Sequence, residues 1–345
     1  MRRLIAFIVT QVVKNYYYLK FSALFLLGRA LKGKKFLAIK ERSKPKCLEG
    51  WDSRYVQLQN VRLHYVQTGS DDKPLMLFIH GYPEFWYAWR FQLNEFKDRY
   101  RCVAIDQRGF NLSDKPEETK SYTMDELVGD VRGVITELGY EKAIVVAHDW
   151  GGLVAWEFAE RYPEMVEKLI CCNIPRPGAF AKSIWGSWSQ FRKSWYIFFY
   201  QNQTLPEILT AAGDMMIFSR FFRDKTGGIQ NRGNFTDEDL EAWKYSYSYN
   251  GASFKYPLNY YRNIFSHVHV YRKDLILDMP VLIIWGTADA ALDYATAEDS
   301  LKNLRNGIMK PIPGASHFVQ QDEPELVNQY ISEFLTNTPA FNFKL

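Results

Sequence analysis

The chain has 345 residues, of which 47% are hydrophobic and 16% aromatic, so it is long and apolar enough for one large α/β domain or two smaller ones. Its formal net charge is only +4, and much of this net charge lies before residue 50, which argues against a nucleic-acid partner. Four cysteines, Cys47, Cys102, Cys171 and Cys172, provide no disulfide framework.

The first predicted element is an apolar helix over residues 1–31. Apolar side chains dominate residues 4–27, basic residues flank them, and the segment is long enough to cross a bilayer. We therefore expect it to be a membrane anchor that spans the bilayer. Lys14 and Lys20 weaken this interpretation, because a charge near the bilayer centre costs ~2.5–3.5 kcal/mol on insertion scales. A helix lying in the membrane interface is the alternative, and a cleaved signal peptide is less favoured.

The charges around this segment bear on its orientation. More Lys and Arg follow it than precede it, which favours a cytoplasmic catalytic domain. We expect the membrane to be that of the endoplasmic reticulum. The sequence leaves the oligomeric state open.

The next elements predict the first part of an α/β core over residues 51–174. A basic linker without periodicity, residues 32–50, precedes it. Alternating residues on either side of Gln59-Asn60 predict a hairpin at the sheet edge. Continuous apolar runs predict buried strands, and a Thr123–Glu126 capping box predicts the start of an amphipathic helix. Strands alternating with helices indicate a mostly parallel sheet flanked by helices. The predicted buried strands are residues 75–79, 101–105, 143–147 and 169–174.

This alternation stops over residues 175–275, where aromatic residues lie on helical patterns. A segment of that length is too long for a loop. We expect an inserted helical cap that roofs the carboxyl edge of the sheet. The core resumes over residues 276–345, with a strand ending at Gly286, a short strand over 309–312 and a closing helix.

A candidate nucleophile lies between a strand and a helix in Ala147-His148-Asp149-Trp150-Gly151-Gly152. A sharp turn with small neighbours at this place is typical of a nucleophile elbow, whose usual occupant is serine. A carboxylate is a poor agent for acyl transfer, because its acylated form is an anhydride. It is a competent nucleophile towards a strained or activated sp3 carbon. Asp149 therefore indicates epoxides or alkyl halides as substrates, rather than esters or peptides.

The groups that would assist Asp149 follow later in the chain. Asp289 comes after the strand that ends at Gly286, and His317 after the last strand, in the order nucleophile, acid, base. Asp293 is the substitute acid. The backbone N–H groups of Tyr82 and Trp150 are candidates for the oxyanion hole, and a cis peptide between Tyr82 and Pro83 is plausible. His317 would activate the water that hydrolyses the enzyme ester.

The leaving group separates the two substrate classes. An epoxide opens to an alkoxide that needs a proton, whereas a halide needs only N–H donors. Cap tyrosines can donate such a proton. Composition alone does not select two of the many tyrosines in this region, and packing is the ordinary role for any one of them.

The chain resembles the epoxide hydrolase family of the α/β-hydrolase fold, from about Trp51 to its carboxyl end. The resemblance implies that Asp149 is the nucleophile, Asp289 the acid and His317 the base, and that the products are vicinal diols. It also implies that Tyr196 and Tyr261 activate the oxirane, with Tyr200 as a competitor for the place of Tyr196. The motifs that carry the resemblance are His80-Gly81-Tyr82-Pro83, Asp106-Gln107-Arg108-Gly109, His148-Asp149-Trp150-Gly151-Gly152, Trp285-Gly-Thr-Ala-Asp289 and Ser316-His317.

Two details refine the resemblance. Haloalkane dehalogenases usually have asparagine where Tyr82 stands, which argues against that activity. The amino-terminal segment and residues 83–89 are similar to a membrane-anchored epoxide hydrolase 3/4-like subgroup. We expect a small apolar epoxide, lipid-derived or xenobiotic, and water as substrates, with no cofactor or metal. A dehalogenase and a non-catalytic membrane scaffold are the alternatives.

Overall fold

The structure is a computed structural model, and it describes residues 2–248, 253–265 and 275–338. Its centre is one eight-stranded sheet whose spatial order is β1-β2-β4-β3-β5-β6-β7-β8. The strands are β1 Asp52–Gln57, β2 Arg62–Thr68, β3 Leu75–Ile79, β4 Arg101–Ile105, β5 Ala143–His148, β6 Val166–Cys172, β7 Val281–Gly286 and β8 Gly307–Ile312.

The strand directions match the sequence pattern. β1 and β2 form an antiparallel hairpin at one edge, β2 pairs antiparallel with β4, and every pair from β4 to β8 is parallel. All residues of β3, β5 and β7 are buried, as continuous apolar runs predict for strands covered on both faces. The predicted edge hairpin and mostly parallel sheet are confirmed.

The helices fall into two groups. The first group precedes or follows strands of the core, and the second lies between β6 and β7. The first comprises α1 Arg2–Lys32, α2 Arg90–Phe96, α3 Met124–Glu137, α4 Asp149–Arg161, α12 Tyr294–Ser300, α13 Val319–Asp322 and α14 Pro324–Asn337. The second comprises α5 Pro177–Gly186, α6 Trp188–Lys193, α7 Trp195–Phe199, α8 Leu205–Met215, α9 Ile217–Arg223, α10 Asp237–Ser246 and α11 Lys255–Asn263.

The helices α5 to α11 occupy the segment for which the sequence predicts a cap. Residues 249–252 and 266–274 of that segment, and residues 339–345 of the second core segment, lie outside the described residues. The domain boundaries themselves stay predictions.

The start of α3 corrects one local expectation. Thr123 occupies the N-cap but its side chain makes no capping hydrogen bond. The Glu126 carboxylate instead pairs with Arg108 at 2.9 Å, a buried guanidinium that also pairs with Asp130. The predicted capping box is wrong, because a partner distant in sequence takes its carboxylate.

The helix α1 packs against the insert through aromatic side chains. The Phe21 ring centroid lies 4.4 Å from that of Phe199 and 5.2 Å from that of Trp195, and Tyr17 lies 5.7 Å from Trp195. Trp195 and Phe199 belong to α7. The amino-terminal helix is therefore in direct contact with the cap segment.

The structure does not support the predicted bilayer-spanning anchor. Across the described residues, none of the helices combines the length and the apolar character that crossing a membrane requires. In α1, which is 31 residues long, polar residues that include Lys14 and Lys20 interrupt the apolar runs.

The segment after α1, predicted as a linker, is bound along the insert. Arg42 pairs with Asp214 at 2.5 Å and with Glu241 at 2.9 Å, and its side chain is largely buried. The backbone N–H of Lys40 also donates to Asp214. These ion pairs fix the path of the chain from α1 to β1.

Candidate active site

The turn between β5 and α4 places Asp149 in a left-handed conformation, with φ of +47°. This conformation is strained for a residue with a side chain. A Cβ atom on Gly151 would lie 2.3 Å from the carbonyl oxygen of Ile79, and one on Gly152 would lie 2.1 Å from the Ile174 side chain. The small residues are thus required by close packing of the turn. The turn has the geometry that the sequence predicts for a nucleophile elbow.

The imidazole of His317 lies between two carboxylates. Its Nδ1 is 2.7 Å from Asp289 Oδ2, and its Nε2 is 3.5 Å from Asp149 Oδ2. The structure therefore brings together Asp149, Asp289 and His317, which are far apart in sequence. Nδ1 faces the nearer carboxylate, so Nε2 is the nitrogen directed at Asp149.

Burial and neighbouring charges shift the pKa values of Asp149, Asp289 and His317 in opposite directions. Burial alone would lower the pKa of His317, but the Asp289 and Asp149 carboxylates outweigh it and raise that pKa to about 10. Burial alone would raise the pKa of Asp149, but the His317 imidazole holds it below its usual range. The pKa of Asp289 is lowered by His317 in the same way. Asp149 is therefore ionised in the resting protein.

A backbone N–H group contacts the Asp149 carboxylate directly. The N–H of Tyr82 donates to Asp149 Oδ1 at 2.7 Å. Trp150 lies in the first turn of α4, where N–H groups have no acceptor within the helix. The peptide between Tyr82 and Pro83 is cis. Both amides predicted for the oxyanion hole therefore lie next to the nucleophile.

The two predicted tyrosines lie together on the cap side of Asp149. Tyr196 belongs to α7 and Tyr261 to α11, and their ring centroids are 5.8 Å apart. Tyr261 also packs on Trp150 at 5.0 Å. Burial raises the pKa of both phenols well above the usual value, and the Asp149 carboxylate raises it further. In the part of the chain that the structure describes, neither hydroxyl has a hydrogen-bond partner.

Tyr200 is the alternative to Tyr196, and the electrostatics separate the two. Burial raises the pKa of Tyr200 to about 12, although the Tyr82 side chain acts to lower that pKa. The Asp149 carboxylate is not among the groups that shift it. The Tyr200 ring packs against Tyr82 at 5.9 Å. The Asp149 and Asp289 carboxylates raise the pKa of Tyr196, which favours Tyr196 over Tyr200 as the proton donor.

The residues that hold the triad in place were not among those predicted from the sequence. Asp289 Oδ2 accepts a hydrogen bond from Asn173 Nδ2 at 2.7 Å, and Oδ1 accepts from the N–H groups of Ala291 and Leu292. Asn173 follows β6 immediately, at the carboxyl edge of the sheet. Its position at a strand end is the signal that could have identified it.

A second missed group lies beneath the elbow. Glu84 is fully buried, accepts from the N–H of Gly81 at 2.9 Å and lies 2.7 Å from His148 Nδ1. Its other oxygen accepts from the side-chain amides of Gln320 and Gln321. Glu84 directly follows His80-Gly81-Tyr82-Pro83, so its proximity to a motif could have indicated it.

Within the described residues, no group of three or more His, Cys, Asp or Glu side chains is arranged to hold a metal ion. The Asp289 carboxylate instead accepts hydrogen bonds from His317 Nδ1 and Asn173 Nδ2.

Comparisons with known proteins agree with this geometry. The alpha/beta hydrolase fold family matches residues 74–324. Epoxide hydrolase 1 of Caenorhabditis elegans is 68% identical over 328 residues, which cover 95% of this chain and 81% of the relative. Epoxide hydrolase 4 of Homo sapiens is 41% identical over 285 residues, which cover 81% of this chain and 78% of the relative.

A solved structure is similar as well. The crystal structure of an epoxide hydrolase from Bacillus megaterium in complex with an inhibitor superposes with a TM-score of 0.70 at 34% identity. The match covers 82% of this chain and all of the other. The predicted fold, an α/β-hydrolase sheet flanked by helices, is confirmed.

Proposed function

This chain belongs to the epoxide hydrolases of the α/β-hydrolase fold and hydrolyses epoxides, and we propose that it does so through an ester formed on Asp149. In this proposal His317 is the base and Asp289 the acid that orients it. Tyr196 and Tyr261 activate the oxirane oxygen, and the amides of Tyr82 and Trp150 form the oxyanion hole. The products are vicinal diols.

The first step is alkylation of the enzyme. An ionised oxygen of Asp149 attacks a ring carbon, and the carbon–oxygen bond of the oxirane breaks. The departing oxygen takes a proton from the Tyr196 or Tyr261 hydroxyl. Neither hydroxyl is engaged with another described residue, so both are available to the substrate. Binding the alkoxide between two donors lowers the cost of developing charge.

Alkylation also prepares the base. An ester on Asp149 carries no charge, so His317 loses one of the two carboxylates that raise its pKa. Its proton can then leave and restore the tyrosine, through solvent. The neutral imidazole is the form that the second step requires.

The second step is hydrolysis of the ester. His317 Nε2 takes a proton from water as the water oxygen attacks the carbonyl carbon of Asp149. The negative charge then develops on a carboxylate oxygen of Asp149, where the Tyr82 N–H already donates at 2.7 Å. Collapse expels the second diol oxygen, which takes the proton from His317. The Asp149 carboxyl proton passes to His317 and regenerates the resting pair.

The observation that carries this proposal is an ionised aspartate at the elbow, in contact with both an amide donor and His317. Trapping of the ester tests it directly. In His317→Gln, incubated with styrene oxide, we expect the peptide that contains Asp149 to gain the mass of one substrate molecule. An Asp149→Asn variant, kept free of deamidation, is the control and should gain nothing. Label on another residue, or continued diol formation by Asp149→Asn, would exclude the mechanism.

The role of α1 forms a separate part of the proposal. Its side chains Ile8, Val12, Leu19 and Leu26 are each more than half exposed, on the face opposite Tyr17 and Phe21. An amphipathic helix of this kind can lie in the headgroup region of a bilayer. We propose that α1 binds the membrane interface in this way, and the endoplasmic reticulum remains the predicted location.

Vesicle flotation tests the interfacial part. Leu19→Glu should reduce the fraction of protein that floats with phosphatidylcholine vesicles, because it places a charge on the apolar face. Glu95→Gln, an exposed change on α2, is the control. Equal flotation of wild type and Leu19→Glu would exclude this role for α1.

A further inference from the structure

A large cleft lies between the first half of α1 and the catalytic domain. Its volume is about 1020 Å³, at the upper end of the range of ~300–1,000 Å³ usual for small-molecule sites. The walls come from the first half of α1, from α3, α4 and α5 and from the end of α11, and the lining is mostly apolar. We refer to this space as the α1 cleft.

The α1 cleft adjoins the catalytic residues without containing them. Asp149, Asp289 and His317 do not line it, whereas the side chains of Trp150 and Tyr260 do. The Trp150 ring lies 5.0 Å from that of Tyr261, on the catalytic side. Trp150 therefore belongs to the lining of the cleft and also contacts one of the proposed proton donors.

Lys14 contributes a cation to the α1 wall of the cleft. Its side chain is half-buried, and no described residue makes a hydrogen bond or an ion pair with it. Arg262, a second cation of the lining, pairs with Glu207 at 2.5 Å. Arg161, a third, pairs with Asp125 at 2.6 Å. Lys14 thus differs from the other basic groups of the cleft.

The acidic groups of the lining are already paired. Glu160 lies 2.6 Å from Arg176, and Glu157 lies 3.3 Å from Arg161. Burial raises the pKa of Glu157 to about 7, which further reduces its negative charge near neutral pH. The cleft therefore combines apolar walls with an excess of positive charge at Lys14.

We propose that the α1 cleft is a binding site for a long-chain carboxylate. The hydrocarbon chain occupies the space between α1 and α5, and the carboxylate pairs with the Lys14 ammonium group. A half-buried ammonium gains a charge-assisted hydrogen bond from such a ligand. Burial of the alkyl chain supplies the larger, less specific part of the binding free energy.

The cleft lies beside the catalytic residues without containing them. The proposed binding therefore does not rest on the proposed function, because a fatty acid without an oxirane has the chain and the carboxylate that the cleft would bind.

Oleate, which has no oxirane, is the probe. Calorimetric titration of the full-length protein with oleate, below the concentration at which it forms micelles, should show saturable binding. Lys14→Gln should weaken it about tenfold, which corresponds to about 1.4 kcal/mol. Lys14→Arg should retain the affinity. Lys20→Gln, which removes an exposed lysine of α1 outside the cleft, is the matched control and should behave as wild type.

Two further measurements separate the chain from the carboxylate. Methyl oleate should bind wild type and Lys14→Gln equally, because it lacks the charge. Ala181→Trp, at an exposed position of the lining, should weaken both ligands by filling the cleft, whereas Ala30→Trp at the other end of α1 should not. Oleate binding that is unchanged in Lys14→Gln or in Ala181→Trp would overturn the proposal. Such a result would not contradict the proposed formation of an ester on Asp149.

Discussion

The ring of His148 is hydrogen-bonded to the backbone carbonyl of His317 at 2.9 Å through Nε2. Its Nδ1 lies 2.7 Å from the carboxylate of Glu84, so both ring nitrogens face oxygen atoms. The residue before the nucleophile thus holds the loop that carries the base. The fully buried Glu84 carboxylate supports this connection from below.

Removing the Glu84 charge should destabilise the protein strongly. Glu84→Gln puts an amide in place of a buried carboxylate that accepts from three N–H groups and faces His148 Nδ1. Each buried donor left without an acceptor costs about 1–3 kcal/mol. Urea unfolding of wild type and variant measures the difference. Glu95→Gln, at an exposed position of α2, should change the free energy of unfolding by less than about 0.5 kcal/mol. Equal stability of Glu84→Gln and Glu95→Gln would contradict the structural role of the Glu84 carboxylate.

The cap tyrosines should govern the first step only. Tyr196→Phe and Tyr261→Phe remove proton donors, so each should slow alkylation about 10²–10⁴-fold, the usual contribution of general acid catalysis. Rapid-quench measurement of ester formation with excess enzyme reports that step. Tyr200→Phe is the matched control and should change the rate much less. If Tyr200→Phe slows alkylation more than Tyr196→Phe does, the assignment within α7 is wrong.

The sequence predicted those features that depend on local pattern. Continuous apolar runs identified the buried strands, and the small residues around Asp149 identified the elbow. Spacing after strand ends also located Asp289 and His317, because parallel strands end at one edge of the sheet. These inferences need no knowledge of the distant packing.

Features that depend on distant partners were not predictable in this way. Asn173 and Glu84 carry no local pattern, and they acquire a role only when Asp289 and His148 are placed beside them. The sequence shows that Lys14 and Lys20 interrupt the apolar run of α1. It does not show that Tyr17 and Phe21 of the same helix pack on α7, because that contact depends on residues far away in the chain. The spacing of Thr123 and Glu126 fits a capping box, but in the folded protein the Glu126 carboxylate pairs with Arg108 instead.

The contact between α1 and α7 should contribute to both stability and rate. Phe21→Ala removes a ring that packs on Phe199 and Trp195, next to Tyr196, and should lower the free energy of unfolding by at least about 1 kcal/mol. The alkylation rate should fall while ester hydrolysis stays unchanged. Leu19→Ala, on the exposed face of α1, is the control for both measurements. Identical stability and rates in the two variants would show that this contact is inert.

The raised pKa of His317 should appear as a pH-dependent contribution to stability. A folded-state pKa of about 10, above the ordinary 6.5, stabilises the fold fully below pH 6.5 and loses this effect as pH rises towards 10. The excess of the wild-type melting temperature over that of His317→Gln should therefore shrink between pH 6.5 and 10. A difference that stays constant over this range would contradict the ion pairs of His317.

Oxygen labelling tests the central claim, that a carboxylate oxygen of Asp149 enters the product. A single turnover in ¹⁸O-labelled water, with enzyme in excess over styrene oxide, separates the two routes to a diol. Through an ester, the water oxygen enters the carboxylate, so mass spectrometry should find ¹⁸O in the peptide that contains Asp149 and none in the diol. Label in the diol, with none in that peptide, would show direct attack of water and would contradict the mechanism.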